Sequence, residues 1–135
     1  MVVSLDPTVT KEYTLKSDVG EPKTIWELGL FDSFVAAKLQ SQIFQNTKQA
    51  EKNGSSDMTE AVFEFVRHGL KGVKNYNIPF QTEEVTISKI GKRTVVSDEF
   101  LRNLRLEWVA ELYSELININ FLSEQDSKNS VTPSV

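Results

Sequence analysis

The sequence contains no cysteine, which excludes disulfide bonds, thiolate metal sites and cysteine nucleophiles. It has no run of about 18 apolar residues, which a membrane-spanning helix would need. No basic region followed by an apolar core begins the chain, so we predict no secretory signal. The absences fit a protein that stays in the reducing cytoplasm where it is made.

Neither half of the chain is strongly basic. Residues 1–70 carry seven basic and ten acidic side chains, residues 71–135 carry eight and nine, and the formal net charge is -4. Binding to nucleic-acid phosphates needs a basic surface, so we predict no nucleic-acid partner. With 39% apolar and 25% charged residues in 135, the composition is typical of one soluble globular domain.

Local patterns predict a small α+β domain over residues 11–122, preceded by an extended segment (1–10) and followed by a flexible tail (123–135). The β-prone runs 12–16 and 24–28 are separated by turn-forming residues, which predicts a β-hairpin.

Helical spacing of apolar residues predicts three helices. The first begins at an Asp32 N-cap and fades between residues 48 and 53, and the second begins at Ser56 or Asp57 and reaches Leu70. A loop is predicted for residues 71–80, then short strands near 85–87 and 95–96, although 85–87 could equally begin a helical turn. The third helix begins at Ser97, ends near Ile119 and bends near Arg105.

Sequence motifs for catalysis are missing. No nucleophile elbow or phosphate-binding glycine loop occurs, and one histidine is too few for a transition-metal site. We expect His68 to face solvent or to interact with the C-terminus of its helix. The pairs Glu83-Glu84 and Asp98-Glu99 are interpreted as solvated surface and as a helix start. A magnesium or calcium site made of oxygen ligands alone stays open, although no EF-hand loop occurs. We therefore predict no enzyme, no catalytic residues, no metal and no cofactor.

Basic residues also cluster in the loops around Tyr76 and Gly91. This cluster could contact phosphate, but its acidic surroundings favour ordinary solvated loops. Its members are Lys71, Lys74, Lys89, Lys92 and Arg93.

Large apolar side chains are numerous, with eight phenylalanines and two tryptophans. A well-filled core explains them as well as a partner surface does. If some remain exposed, they mark a surface for another protein. The partner-binding candidates are Phe31, Phe44, Trp108 and Tyr113.

Two segments resemble small proteins encoded among the tail genes of tailed bacteriophages and prophages. Residues 69–76, GLKGVKNY, with Phe80 beyond them, are similar to a loop that follows a helix in those proteins. Residues 111–129, ELYSELININFLSEQDSKN, are similar to their closing motif. The resemblance covers about residues 60–130.

The resemblance implies a phage tail assembly chaperone, a non-enzymatic factor of the host cytoplasm that coats the tape measure protein and recruits tail tube subunits. Such a factor needs an apolar groove for a helix, and we expect it to self-associate and to have no membrane partner. A structural virion component, such as a head decoration or head-tail connector protein, is the alternative.

Overall fold

The computed structural model describes residues 8–53, 59–87 and 89–122, with only the backbone described at 44–53, 59–60 and 122. Most of the predicted extended segment, the predicted tail and the two candidate caps Ser56 and Asp57 lie outside these residues.

The described residues form an α+β fold, as predicted. The strands are β1 (Thr10–Tyr13), β2 (Ile25–Gly29), β3 (Leu70–Lys74), β4 (Thr82–Ile87) and β5 (Gly91–Val96). The helices are α1 (Ser33–Asn53), α2 (Thr59–Gly69), α3 (Asp98–Arg102) and α4 (Leu106–Ile117), and α4 continues into a π-helical segment (Asn118–Leu122).

Strand β2 is the centre of a three-stranded antiparallel sheet in the order β1-β2-β3. The pairing of β1 with β2 confirms the predicted hairpin. The prediction of a loop throughout residues 71–80 was wrong, because residues 70–74 form β3. Leu70 and Gly72 are buried while Lys71 between them is exposed, which is the alternation of a strand with one covered face.

Strands β4 and β5 form a separate antiparallel hairpin, so residues 82–87 extend as a strand and do not begin a helical turn. Gly91 opens β5 with a φ of 104°, a conformation that L side chains rarely adopt. The glycine therefore suits the tight connection between the two strands.

Two of the predicted helix starts are confirmed by their caps. Asp32 Oδ1 accepts hydrogen bonds from the backbone N–H groups of Phe34 and Val35, at 3.0 and 3.1 Å. Ser97 Oγ accepts one from Phe100 N–H at 3.2 Å. These bonds satisfy donors that have no partner within the helix. The predicted bend near Arg105 is a full break between α3 and α4.

The core is built around Phe65 on α2, which is completely buried. Its ring centroid lies 5.5 Å from that of Phe31, 5.0 Å from that of Tyr113 and 6.0 Å from that of Phe121, in edge-to-face arrangements. This cluster joins α2 to α4, to the π-helical segment after it and to the segment that leads into α1.

His68 is also buried, with 5% of its surface exposed, so the prediction that it faces solvent was wrong. Burial, together with the nearby cations Lys38, Lys71 and Arg67, lowers the pKa of His68 from 6.5 to about 4. The imidazole is therefore neutral near pH 7 and is not a cation at the helix end.

The N-terminal hairpin is tied to α4 through the carboxylate of Glu111. Its Oε2 accepts hydrogen bonds from the Tyr13 hydroxyl at 2.5 Å and from the Lys16 backbone N–H at 2.8 Å. Lys11 Nζ lies 2.9 Å from Glu115 Oε1, one turn further along α4. These contacts hold the hairpin against the C-terminal helix.

Gly69, the last residue of α2, packs against the buried side chain of Leu116. A Cβ on Gly69 would lie 2.7 Å from Leu116 Cδ1 and 3.0 Å from its Cγ. We expect Gly69→Ala to lower the free energy of unfolding by about 1–3 kcal/mol, because the surrounding core cannot move aside.

Urea denaturation followed by circular dichroism measures this loss. The matched control is Gly20→Ala, whose Cβ meets only Asp18 Oδ1 at 3.5 Å and which should change stability by less than about 0.5 kcal/mol. Equal stabilities for the two variants would contradict the close packing of α2 on α4.

Candidate functional site: an aromatic cleft

A cleft of about 530 Å³ lies between the N-terminal hairpin and the start of α4. We call it the aromatic cleft, because Trp26, Tyr76 and Trp108 contribute to its wall. Its other lining residues are Leu15, Ser17, Asp18, Val19, Gly20, Thr24, Asn75 and Asn77.

The three aromatic rings contact one another. The Trp26 centroid lies 5.3 Å from that of Tyr76 and 6.4 Å from that of Trp108, and Tyr76 and Trp108 are 6.4 Å apart. The rings are inclined to one another by 53° to 77°, so they do not stack flat. Trp26 is buried, whereas Tyr76 and Trp108 are partly exposed.

Strand pairing brings Trp26 and Tyr76 together. Trp26 pairs with Val73 in the β2-β3 register, and Tyr76 follows the end of β3. Asn75, between the end of β3 and Tyr76, has a φ of 59°, which asparagine tolerates better than most residues. Its carbonyl accepts a hydrogen bond from Thr24 Oγ1 at 2.7 Å, and its Nδ2 donates to Lys23 O at 3.2 Å. The two loops beside the cleft are therefore bonded to each other.

Asp18 organises the loop between β1 and β2, which also lines the cleft. Its Oδ1 accepts a hydrogen bond from Gly20 N–H at 3.1 Å, and its Oδ2 accepts one from Thr24 N–H at 2.8 Å. Asp18 is half-buried and is the one charged residue among those that line the cleft. Val19, beside it, is 89% exposed and forms an apolar part of the lining.

A cation already contacts one of the three rings. The guanidinium carbon of Arg105 lies 5.5 Å from the centre of the Trp108 ring, which is a cation–π distance. The Arg105 side chain is 70% exposed, and its nearest carboxylate oxygen, on Glu107, is 3.9 Å away. Arg105 is thus held loosely at the side of the cleft.

Trp26 carries an unsatisfied polar group into this region. Its Nε1–H is buried and has no hydrogen-bond partner in the part of the chain that the structure describes. Leaving a buried donor unpaired costs roughly 1–3 kcal/mol, and most native donors avoid this cost.

The predicted partner-binding residues do not form one surface. Phe31 is 4% exposed and packs in the core, so it is not available as a surface anchor. Tyr113 is partly buried against Phe65 in the same core, and burial raises its pKa. Trp108 alone lies in the aromatic cleft. The Phe44 side chain lies outside the described residues.

Sequence reasoning missed Trp26, Tyr76 and Asp18 as members of one site. Asp18 and Trp26 lie 58 and 50 residues before Tyr76 in the chain, and no local pattern reports which loops meet. One signal was available, because both tryptophans of the chain line this cleft.

Two members of the basic cluster around Tyr76 and Gly91 are paired with carboxylates. Lys74 Nζ lies 3.1 Å from Glu12 Oε2, and Arg93 Nε lies 2.8 Å from Asp32 Oδ2. Arg93, together with backbone N–H groups, lowers the pKa of the Asp32 carboxyl despite the opposing effect of burial. Two of the five basic residues thus interact with separate carboxylates, one on β1 and one at the N-cap of α1.

The carboxylate pairs are linked by a cation. Arg67 on α2 forms ion pairs with Glu64, Glu83 and Asp98. Asp98 and Glu99 lie in the first turn of α3, as their interpretation as a helix start required. Within the described residues no three histidine, aspartate or glutamate side chains are grouped so that they could hold a metal ion.

Comparisons with family models, with curated proteins and with solved structures each found no match to this chain. None of the helices in the described residues has the length and apolar character needed to cross a membrane.

Proposed function

We propose that this chain is a non-enzymatic phage tail assembly factor of the chaperone type, which binds the tape measure and tail tube proteins through the aromatic cleft. The observation that carries the proposal is the open cleft between Trp26, Tyr76 and Trp108. Tryptophan and tyrosine contribute most to binding energy at protein interfaces, and they do so from pockets.

The segment that resembles tail assembly proteins leads directly to this cleft. Residues 69–76 end α2, form β3 and place Tyr76 in the lining. Gly69 and Gly72 within that segment are both packed tightly, Gly69 against Leu116 and Gly72 against Glu27. The motif therefore has a structural role that ends at the proposed binding surface.

A factor that leaves its client must bind it with limited affinity. A cleft of this size has room for one or two side chains. That is far fewer than the residues buried in a stable protein complex, so contacts there suit transient binding. Val19, 89% exposed in the lining, offers further apolar area to such a client.

Co-expression with the tape measure protein of the same phage or prophage tests the proposal. We expect the wild-type chain to keep that protein in the soluble fraction and Trp108→Leu or Val19→Ser to retain less than about half of this effect. The matched control is Phe34→Ala, since Phe34 is 66% exposed but does not line the cleft.

Two outcomes would overturn the proposal. One is a tape measure protein that is equally soluble with and without this chain. The other is mass spectrometry of purified particles that finds the chain at a stoichiometric copy number, which would identify a structural virion component. A loss confined to Phe34→Ala would instead move the binding surface to α1.

A further inference from the structure

The charges around the aromatic cleft are unevenly distributed. Its lining contains the carboxylate of Asp18 and no lysine, arginine or histidine, and its remaining polar groups are hydroxyls and amides. The rings of Trp26, Tyr76 and Trp108 line the same cleft as this carboxylate. A wall of this kind attracts a positive charge carried on an apolar stem.

The structure itself contains one example of this attraction. Arg105 places its guanidinium over Trp108, and the Arg105 side chain is 70% exposed. The Trp108 ring is thus accessible to a cation from outside the cleft.

From this arrangement we propose that the aromatic cleft binds a lysine side chain of the client polypeptide, with the ammonium between Asp18 and the rings of Tyr76 and Trp108. This inference rests on the proposed function, because it names the chemical group that the cleft recognises in a client.

Lysine fits better than arginine because of the hydrogen bonds that Asp18 already makes. Each of its carboxylate oxygens accepts one backbone N–H, from Gly20 and from Thr24. A guanidinium pairs best with two free, parallel oxygens, whereas a compact ammonium needs only one remaining lone pair. The four-carbon stem of lysine can lie along the apolar rings.

A titration followed by NMR tests the proposal on the full chain. The probes are Nα-acetyl-lysine methylamide and its neutral counterpart, Nα-acetyl-norleucine methylamide. Both tryptophans line the cleft, so the two indole N–H resonances report on binding without interference from other sites. We expect the lysine probe to shift them and to bind at least about fivefold more tightly than the norleucine probe.

Charge variants sharpen the result. Asp18→Asn should weaken the lysine probe several-fold, whereas the control Glu107→Gln removes an exposed carboxylate that does not line the cleft and should change its affinity less than twofold. Arg105→Gln should strengthen the lysine probe, since it removes a competing cation from Trp108.

Equal binding of the lysine and norleucine probes would overturn the proposal, and so would tighter binding of the corresponding arginine derivative. Unchanged affinity in Asp18→Asn would overturn it as well. Each of these results would leave the co-expression experiment unaffected, because a cleft that prefers an apolar side chain can still bind the tape measure protein.

Discussion

Replacing Phe65 with alanine should lower the free energy of unfolding by about 3–5 kcal/mol, because it removes the ring that joins three others in the core. Phe65 is completely buried and its neighbours Phe31, Tyr113 and Phe121 come from different parts of the chain. They cannot all move inward to fill the cavity. Urea denaturation at pH 7, with circular dichroism as the signal, gives the number.

The same side chain at an exposed position supplies the control. Phe34 is 66% exposed, so Phe34→Ala should change stability by less than about 0.5 kcal/mol. If Phe65→Ala cost no more than Phe34→Ala, the aromatic cluster would not be the centre of the fold.

The protein should lose stability on acidification at pH values above those at which carboxylates ordinarily titrate. The pKa of His68 is 6.5 in an unfolded chain and about 4 in the folded protein. Between these values the unfolded state binds a proton that the folded state does not, so stability falls as the pH is lowered from 6.5 towards 4. The difference between the two pKa values corresponds to a loss of about 3 kcal/mol in the free energy of unfolding.

The variant His68→Gln isolates this contribution, because glutamine does not titrate. Its stability should decline less than that of the wild-type protein between pH 7 and pH 4, when both are measured by urea denaturation. A direct check is the NMR titration of the His68 ring in the folded protein. An imidazole that titrates near pH 6.5 would contradict the buried, neutral histidine.

Helix and strand positions were predictable where a local signal was present. Asp32 and Ser97 cap helices as their positions predicted, and the turn formers between residues 17 and 22 do separate two paired strands. Each of these features depends on residues close together in the chain. Caps and turns can therefore be predicted from the sequence alone.

Strand β3 was missed because its partner lies far away in sequence. Residues 70–74 contain a glycine and two lysines, which weaken any local β-prone pattern. The strand exists because β2 has a free edge for it and because Gly72 accommodates the Glu27 side chain. A single sequence does not report such pairing.

The candidate site was predictable only in part, for the same reason. Trp108 was a candidate because it is a large aromatic residue of the C-terminal helix, and it lines the cleft. Phe31 looked equivalent by residue type but lies in the core. Which aromatic ring stays at the surface depends on the final packing. The large number of aromatic residues in the sequence therefore did not identify the site.

The bonds from Glu111 and Glu115 to the first hairpin affect how the chain can fold during synthesis. The side chains of Lys11 and Tyr13 bond to partners about 100 residues downstream. The Phe31 N–H donates to Asn120 Oδ1 at 2.8 Å, and that partner is also made late. A nascent chain on the ribosome therefore exposes Trp26 and Phe31 until α4 and the segment after it have emerged. Contacts of such long range also slow folding in general.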